Sequence, residues 1–241
     1  MKEAIYTIPI SEVFEPKDGC PLCRLRDILE ERCLEYIMGA AMMEPDIRVE
    51  TNRLGFCKDH YFMMLKRKNR LSIALMLQSH LDGLLKEVEN SSGTKPAKRT
   101  FFSKPAESKQ GKFLHETCYV CDKIEQAVSG MVKNLCKMYQ NEPEFKKLYQ
   151  EQSGLCYPHY QRLMVDGKKY LSPKEYPAFA ADTSELTKRY LQGLKADVDH
   201  FCTMFDYRNA GPKADWGNSR DAIERSIHYL TSRNPMELEK K

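Results

Sequence analysis

A mainly α-helical fold follows from three observations on the sequence. Apolar residues recur at steps of three and four through most of the chain, and strict apolar–polar alternation is confined to short stretches. The chain writes one pattern twice: "CPLC" is followed after 33 residues by "CKDH", and "CYVC" after 34 residues by "CYPH". Between the copies lies a stretch rich in Ser, Gly, Pro and Lys without periodicity, which reads as a flexible linker. Together these predict two related helical units, each stapled by a Cys3His metal site, joined by a basic linker and followed by a C-terminal clasp helix. The expected boundaries are 1–92 for the first unit, 93–113 for the linker, 114–206 for the second unit and 207–241 for the clasp.

The elements follow in order. After "CPLC", Leu25, Ile28, Leu29, Tyr36 and Ile37 recur at helical spacing. "MMEPDIRVETNRLG" then reads as an extended return, with Asp46 to Thr51 alternating; residues 5–10 are the other extended candidate. "HYFMMLKRK" opens a helix at His60, and a longer one follows with a seam of Ala74, Leu77, Leu81, Leu84 and Val88. In the second copy Ile124, Val128, Met131, Leu135 and Met138 form the first helical stripe. "NEPEFKKLYQEQSG" is a return helix with Asn141 as N-cap and Pro143 in its first turn. "HYQRLMVDG" opens the next helix, and Tyr190, Leu194, Val198, Phe201 and Phe205 form the closing seam. In the clasp, Ser219 is the expected N-cap of a helix from Arg220 to about Leu230.

The repeated motif carries the chemistry. A Cys-x-x-Cys turn aims two sulfurs at one point, and a Cys-x-x-His at a helix start sets its ligands at i and i+3 on one face. Combined, they offer three thiolates and an imidazole, the donor set of tetrahedral Zn²⁺. Successive order along the chain groups Cys20, Cys23, Cys57 and His60 into one site and Cys118, Cys121, Cys156 and His159 into another, giving two zinc ions per chain. A Cys3His iron–sulfur cluster is the alternative. Four protein ligands leave no open position, so such sites are structural rather than catalytic.

Composition narrows the classes further. Nine cysteines without an export signal favour metal or thiol chemistry over a disulfide framework. Cys33, Cys136 and Cys202 lack patterned neighbours and read as core residues. The amino terminus lacks a signal-peptide apolar run and no stretch is long enough to span a membrane, so a cytoplasmic protein is expected. The net charge is +4, but residues 90–113 alone carry six basic residues and one acidic, so the rest of the chain is close to neutral. The linker's Lys98, Arg99, Phe101 and Phe102, with Lys66, Arg67 and Lys68 of "KRKNR", are candidate nucleic-acid contacts through phosphate pairing and stacking. His80, His115, His200 and His228 lack spaced partners and read as surface or core-edge residues. Glu44 and Asp46 of "MEPD" are better read as a helix boundary than as an acid/base pair. No phosphate loop, dinucleotide fingerprint, nucleophile elbow or His-Glu-x-x-His is present, and no catalytic residues are assigned.

"CPLC", "MMEPDIRVETNRLGFC" and "DYRN…WGNSRDAI" together resemble an uncharacterised bacterial family of about this length, a domain of unknown function with paired motifs of this kind. The likeness covers essentially the whole chain. Some members have been labelled as substrate-binding components of ABC transporters, and the resemblance implies no established activity. The expected function is that of a zinc-binding scaffold or interaction protein with an unknown protein partner. The alternatives are a nucleic-acid-associated zinc protein and a thiol oxidoreductase using the Cys-x-x-Cys pairs.

Overall fold

The structure, a computed structural model, describes residues 10–91, 117–206, 208 and 215–235. Among these residues the regular structure is helical and no strand occurs. The helices are α1 (Ile10–Phe14), α2 (Pro21–Met38), α3 (Pro45–Leu54), α4 (Lys58–Lys66), α5 (Arg70–Ser91), α6 (Tyr119–Asn141), α7 (Pro143–Gln150), α8 (Tyr157–Tyr170), α9 (Tyr176–Thr203) and α10 (Ala222–Thr231). Short 3₁₀ turns occupy Ala40–Met43 and Gly217–Ser219.

The chain divides into two compact units that cut it elsewhere than the expected 1–92 and 114–206. One combines Met1–Leu29 with Ala127–Lys241; the other is Glu30–Gln126. The division therefore falls inside α2 and inside α6. The expected linker, 93–113, lies outside the described residues, as does most of the extended candidate at 5–10.

In the Glu30–Gln126 unit, α3 and α4 both pack on α5. The extended return expected at 46–51 is helix α3 instead. Pro45 supplies a first-turn residue preset for a helix, and Ile47, Thr51 and Leu54 are buried at steps of four and three. An alternating strand would have placed Val49 with Ile47 and Thr51, but Val49 is 65% exposed. The α5 seam also differs from expectation. Ser72, Ile73, Met76 and His80 are the buried face, whereas Leu81 and Val88 stand exposed and Leu77 and Leu84 only half-buried. Large apolar residues lie on two faces of α5, so periodicity alone does not say which one α3 covers. The C-terminal carbonyl of α2, at Met38, accepts from Ser72 Oγ at 2.7 Å and from Asn69 Nδ2 at 2.9 Å.

The other unit is built round an aromatic cluster. Phe14 of α1 meets Phe145 and Tyr149 of α7 at ring separations of 5.3 and 5.9 Å, and Tyr139 and Tyr149 meet Phe179 of α9 at 4.9 and 5.5 Å. Gly167 lets α8 approach α9 closely: a Cβ there would lie 2.7 Å from the Phe179 ring. The expected stripe on α6 is largely internal, with Ile124, Val128, Met131 and Leu135 buried. On α9, Leu194 is buried and Tyr190, Val198 and Phe201 are half-buried, but Phe205 lies beyond the helix end and is 70% exposed. The clasp helix α10 packs on α8 and α9. Its N-cap is Asp221 rather than Ser219, which closes the preceding 3₁₀ turn by donating to the Trp216 carbonyl. Trp216 stacks edge-on against Phe201 and Phe205.

Two candidate Cys3His centres

Each Cys-x-x-His motif opens a helix, as its spacing predicts. Cys57 is the N-cap of α4 and Cys156 the N-cap of α8, both with extended backbone angles, so His60 and His159 fall in the first turn. The two "G-x-C" glycines serve different ends. Gly55 takes φ 59°, ending α3 in the left-handed region that glycine alone enters without strain. Gly154 has no such angle; a Cβ there would lie 2.6 Å from Cβ of Tyr190, so this glycine makes room for α9.

The structure brings all eight expected ligand atoms into two groups, but it crosses the pairing. Cys20 and Cys23 join Cys156 and His159; Cys57 and His60 join Cys118 and Cys121. Within each group the ligand atoms lie within 4.8 Å of one another. The reason is reach. Helix α2, 18 residues long, carries the chain about 27 Å outward, while α3, 10 residues long, returns only about 15 Å. An extended return of the same length would have covered about 33 Å. The first Cys-x-x-His therefore arrives beside Glu30, in the middle of α2, rather than at its start. In the second copy α6 has 23 residues and α7 only 8, and the same shortfall follows.

In the Cys20 centre, His159 Nδ1 lies 3.5, 3.4 and 3.0 Å from the sulfurs of Cys20, Cys23 and Cys156, and Cys23 lies 3.5 Å from Cys156. All four ligands are buried. The loops before Cys20 and Cys156 are tied together by Ser153, whose Oγ accepts from Gly19 N at 2.9 Å. Arg26 and Cys23 both point to the Ser232 carbonyl at the end of α10, so the clasp abuts this centre.

In the Cys57 centre, His60 Nδ1 lies 3.1, 3.2 and 3.5 Å from Cys57, Cys118 and Cys121. Cys57 and Cys121 are 3.9 Å apart. His60 and Cys118 are buried, Cys57 is half-buried and Cys121 is exposed. Here the loops are joined by Tyr119 N donating to Gly55 O at 2.9 Å and by Thr117 Oγ1 donating to Leu54 O at 2.6 Å. His60 Nε2 faces Glu30 Oε1 at 3.0 Å, both side chains being buried. A carboxylate on the far nitrogen fixes the ring and directs Nδ1 at the sulfurs. Spacing alone does not mark Glu30, since an acidic residue on an otherwise amphipathic helix reads as solvated. The equivalent position in the second copy, also seven residues past the second cysteine, is Val128.

The sulfurs within each group shift one another's ionisation in opposite directions. Hydrogen bonds from Cys118 and Cys121 hold the Cys57 thiol well below its ordinary range. Burial opposes ionisation of Cys20, yet bonds from Cys156, Cys23 and His159 still draw it down. The crowded partners move the other way: Cys121 and Cys23 are pushed up by neighbouring sulfurs, and Cys156 to about 12, chiefly by Cys20. Burial works against charge on His60, but bonds to Cys118, Cys57 and Glu30 push it up to about 11. Three sulfurs in contact cannot all ionise unless a cation sits among them.

Of the remaining candidates, Arg67 pairs with Glu31 at 2.5 Å, which balances its charge, and Lys66 and Lys68 are exposed. Lys98, Arg99, Phe101 and Phe102 lie outside the described residues, as does His115. His80 is buried, with Nδ1 2.9 Å from the Asn52 carbonyl, and His200 Nε2 is 2.9 Å from the Asp215 carbonyl. Cys33 and Cys136 are core residues as expected, whereas Cys202 is exposed near the end of α9. Glu44 is the N-cap of α3, consistent with a helix boundary. Among the described residues no helix is long and apolar enough to cross a membrane.

Fold and site thus define an α-helical protein with two candidate Cys3His metal-binding centres. The chain belongs to a family of unknown function, DUF6062, whose model matches residues 1–237. No curated protein and no solved structure matches it.

Proposed function

We propose that the chain is a zinc-binding scaffold whose two Cys3His centres each hold one structural Zn²⁺. The observation that carries this reading is the convergence of the ligand atoms. Tetrahedral zinc at ordinary Zn–S and Zn–N lengths has S···S edges of about 3.8 Å and S···N edges of about 3.6 Å. The S···S separations of 3.5 and 3.9 Å and the S···N separations of 3.0–3.5 Å approach those edges with all the donors facing inward. Cys20, Cys23, Cys156 and His159 would hold one ion, and Cys57, His60, Cys118 and Cys121 the other. Zinc supplies cross-linking charge there and no redox chemistry. With four protein ligands neither centre offers a position to water or substrate, which favours a non-enzymatic role in presenting helices to a protein partner.

Elemental analysis of untagged protein alongside thiol titration tests this reading. Two zinc per chain, with six thiols that react only after a strong chelator is added, is the expected result. Absence of metal, with the motif thiols no less reactive before chelator than after it, would sink it.

A further inference from the structure

The two centres share a donor set but differ in access. The four ligands round Cys20 are 3–8% exposed, whereas the Cys57 centre places Cys121 at the surface and Cys57 half-buried. Cys118 and His60, at 4% and 1%, close the inner side of that centre. A reagent in solvent therefore meets one sulfur first, and that sulfur is Cys121. Its neighbour Cys57 is 3.9 Å away and half-buried, whereas Cys118 lies on the closed inner side. A disulfide needs the sulfurs about 2 Å closer.

We propose that Cys121 is the site of attack by hydrogen peroxide, and that oxidation joins it to Cys57 and opens this centre while the buried Cys20 centre stays closed. The proposal rests on the zinc reading for the Cys121 thiolate and for its consequence. The Cys121 thiolate attacks a peroxide oxygen: the S–O bond forms, the O–O bond breaks and hydroxide leaves. The resulting sulfenic acid is then attacked by the Cys57 thiolate. The S–S bond forms, the S–O bond breaks and a second hydroxide leaves. Two thiolates lose two electrons, the peroxide gains them, and both hydroxides take protons from solvent. Once Cys57 and Cys121 are joined, Cys118 and His60 are the ligands left, too few to retain an ion. The centre is thereby a reversible sensor, restored by a dithiol reductant.

The test uses the full chain carrying Cys202→Ser, which removes the exposed thiol outside both centres, at a protein concentration low enough that non-reducing gels show monomer. Protein is titrated with hydrogen peroxide while zinc release is followed with a chromophoric chelator and disulfides are mapped by peptide mass spectrometry. The expected result is release of one zinc equivalent with a Cys57–Cys121 bridge, the second equivalent staying until denaturant is added. Dithiothreitol with added zinc should reverse it. Release of both equivalents together, a first bridge at Cys118–Cys121 or Cys20–Cys23, or no reaction where N-acetylcysteine is consumed, each overturns the proposal. If the protein carries no zinc, the zinc reading fails by itself. The mapped bridge still decides the reactive pair: Cys57–Cys121 forming first upholds it and any other order overturns it.

Discussion

His60 Nε2 and Glu30 Oε1 lie 3.0 Å apart, and both side chains are at least nine-tenths buried. A buried carboxylate on the far side of a ligand ring is a positioning group: it holds the ring and raises its basicity toward the ion. Glu30→Gln keeps the shape and one acceptor but removes the charge. Zinc affinity of the Cys57 centre should fall about 10- to 100-fold, as for other carboxylates behind ligand histidines. The Cys20 centre should be unchanged. Stepwise competition with a chelator of known affinity reads both sites in one titration.

The crossed grouping makes a sharp prediction about which thiols each ligand guards. Cys156→Ser should expose Cys20 and Cys23 to alkylation and leave Cys118 and Cys121 shielded. Cys57→Ser should do the reverse. Grouping by order along the chain predicts the opposite pattern, so mass-resolved alkylation of the two variants separates them.

Gly154→Ala forces a methyl to within 2.6 Å of Tyr190, on a contact that seats the Cys156 loop against α9. Overpacking of this kind costs about 1–3 kcal/mol. Chemical denaturation should show that loss. Tyr190→Gly, which removes the Cβ the methyl meets, should make the two changes cost less together than the sum of the single variants.

Burial pushes the Tyr149 phenol above its ordinary range, and burial with the 2.5 Å hydrogen bond to Asp182 does the same for Tyr139. The folded state therefore holds these protons more tightly than the unfolded chain. Their contribution to stability is complete below the ordinary tyrosine value of about 10 and is lost as pH rises above it. Denaturation midpoints should be flat from pH 8 to 9 and fall beyond 10, with phenolate absorbance rising together with loss of helix. Tyr139→Phe should shallow that fall.

Much of this architecture is legible in the sequence. Helical spacing marks α2 and α6, and the repeated motif marks all eight candidate ligands. What escapes is anything decided by distance through space. Ile47, Val49 and Thr51 alternate as a strand would, yet Ile47, Thr51 and Leu54 also fit a helix, and Pro45 tips the choice. That choice shortens the return by about 18 Å for ten residues and so sends Cys57 to a different partner. On α5, Leu81 and Val88 compete with Ile73 and Met76 for the interior, and only the packing of α3 resolves them. Glu30 is silent for the same reason: its function depends on a ring thirty residues away in the chain.

The crossed centres also have a consequence for biosynthesis. Cys20, Cys23, Cys57 and His60 all leave the ribosome before Cys118, which follows His60 by 58 residues. At about 5–20 residues per second, the nascent chain spends about 3–12 s with one complete Cys3His set, and it is not a set found in the folded protein. An ion bound by that set would have to change partners, and the inner pair of motifs is complete before the outer pair, whose Cys23 and His159 stand 136 residues apart. The order in which the four motifs emerge thus differs from the order in which they pair.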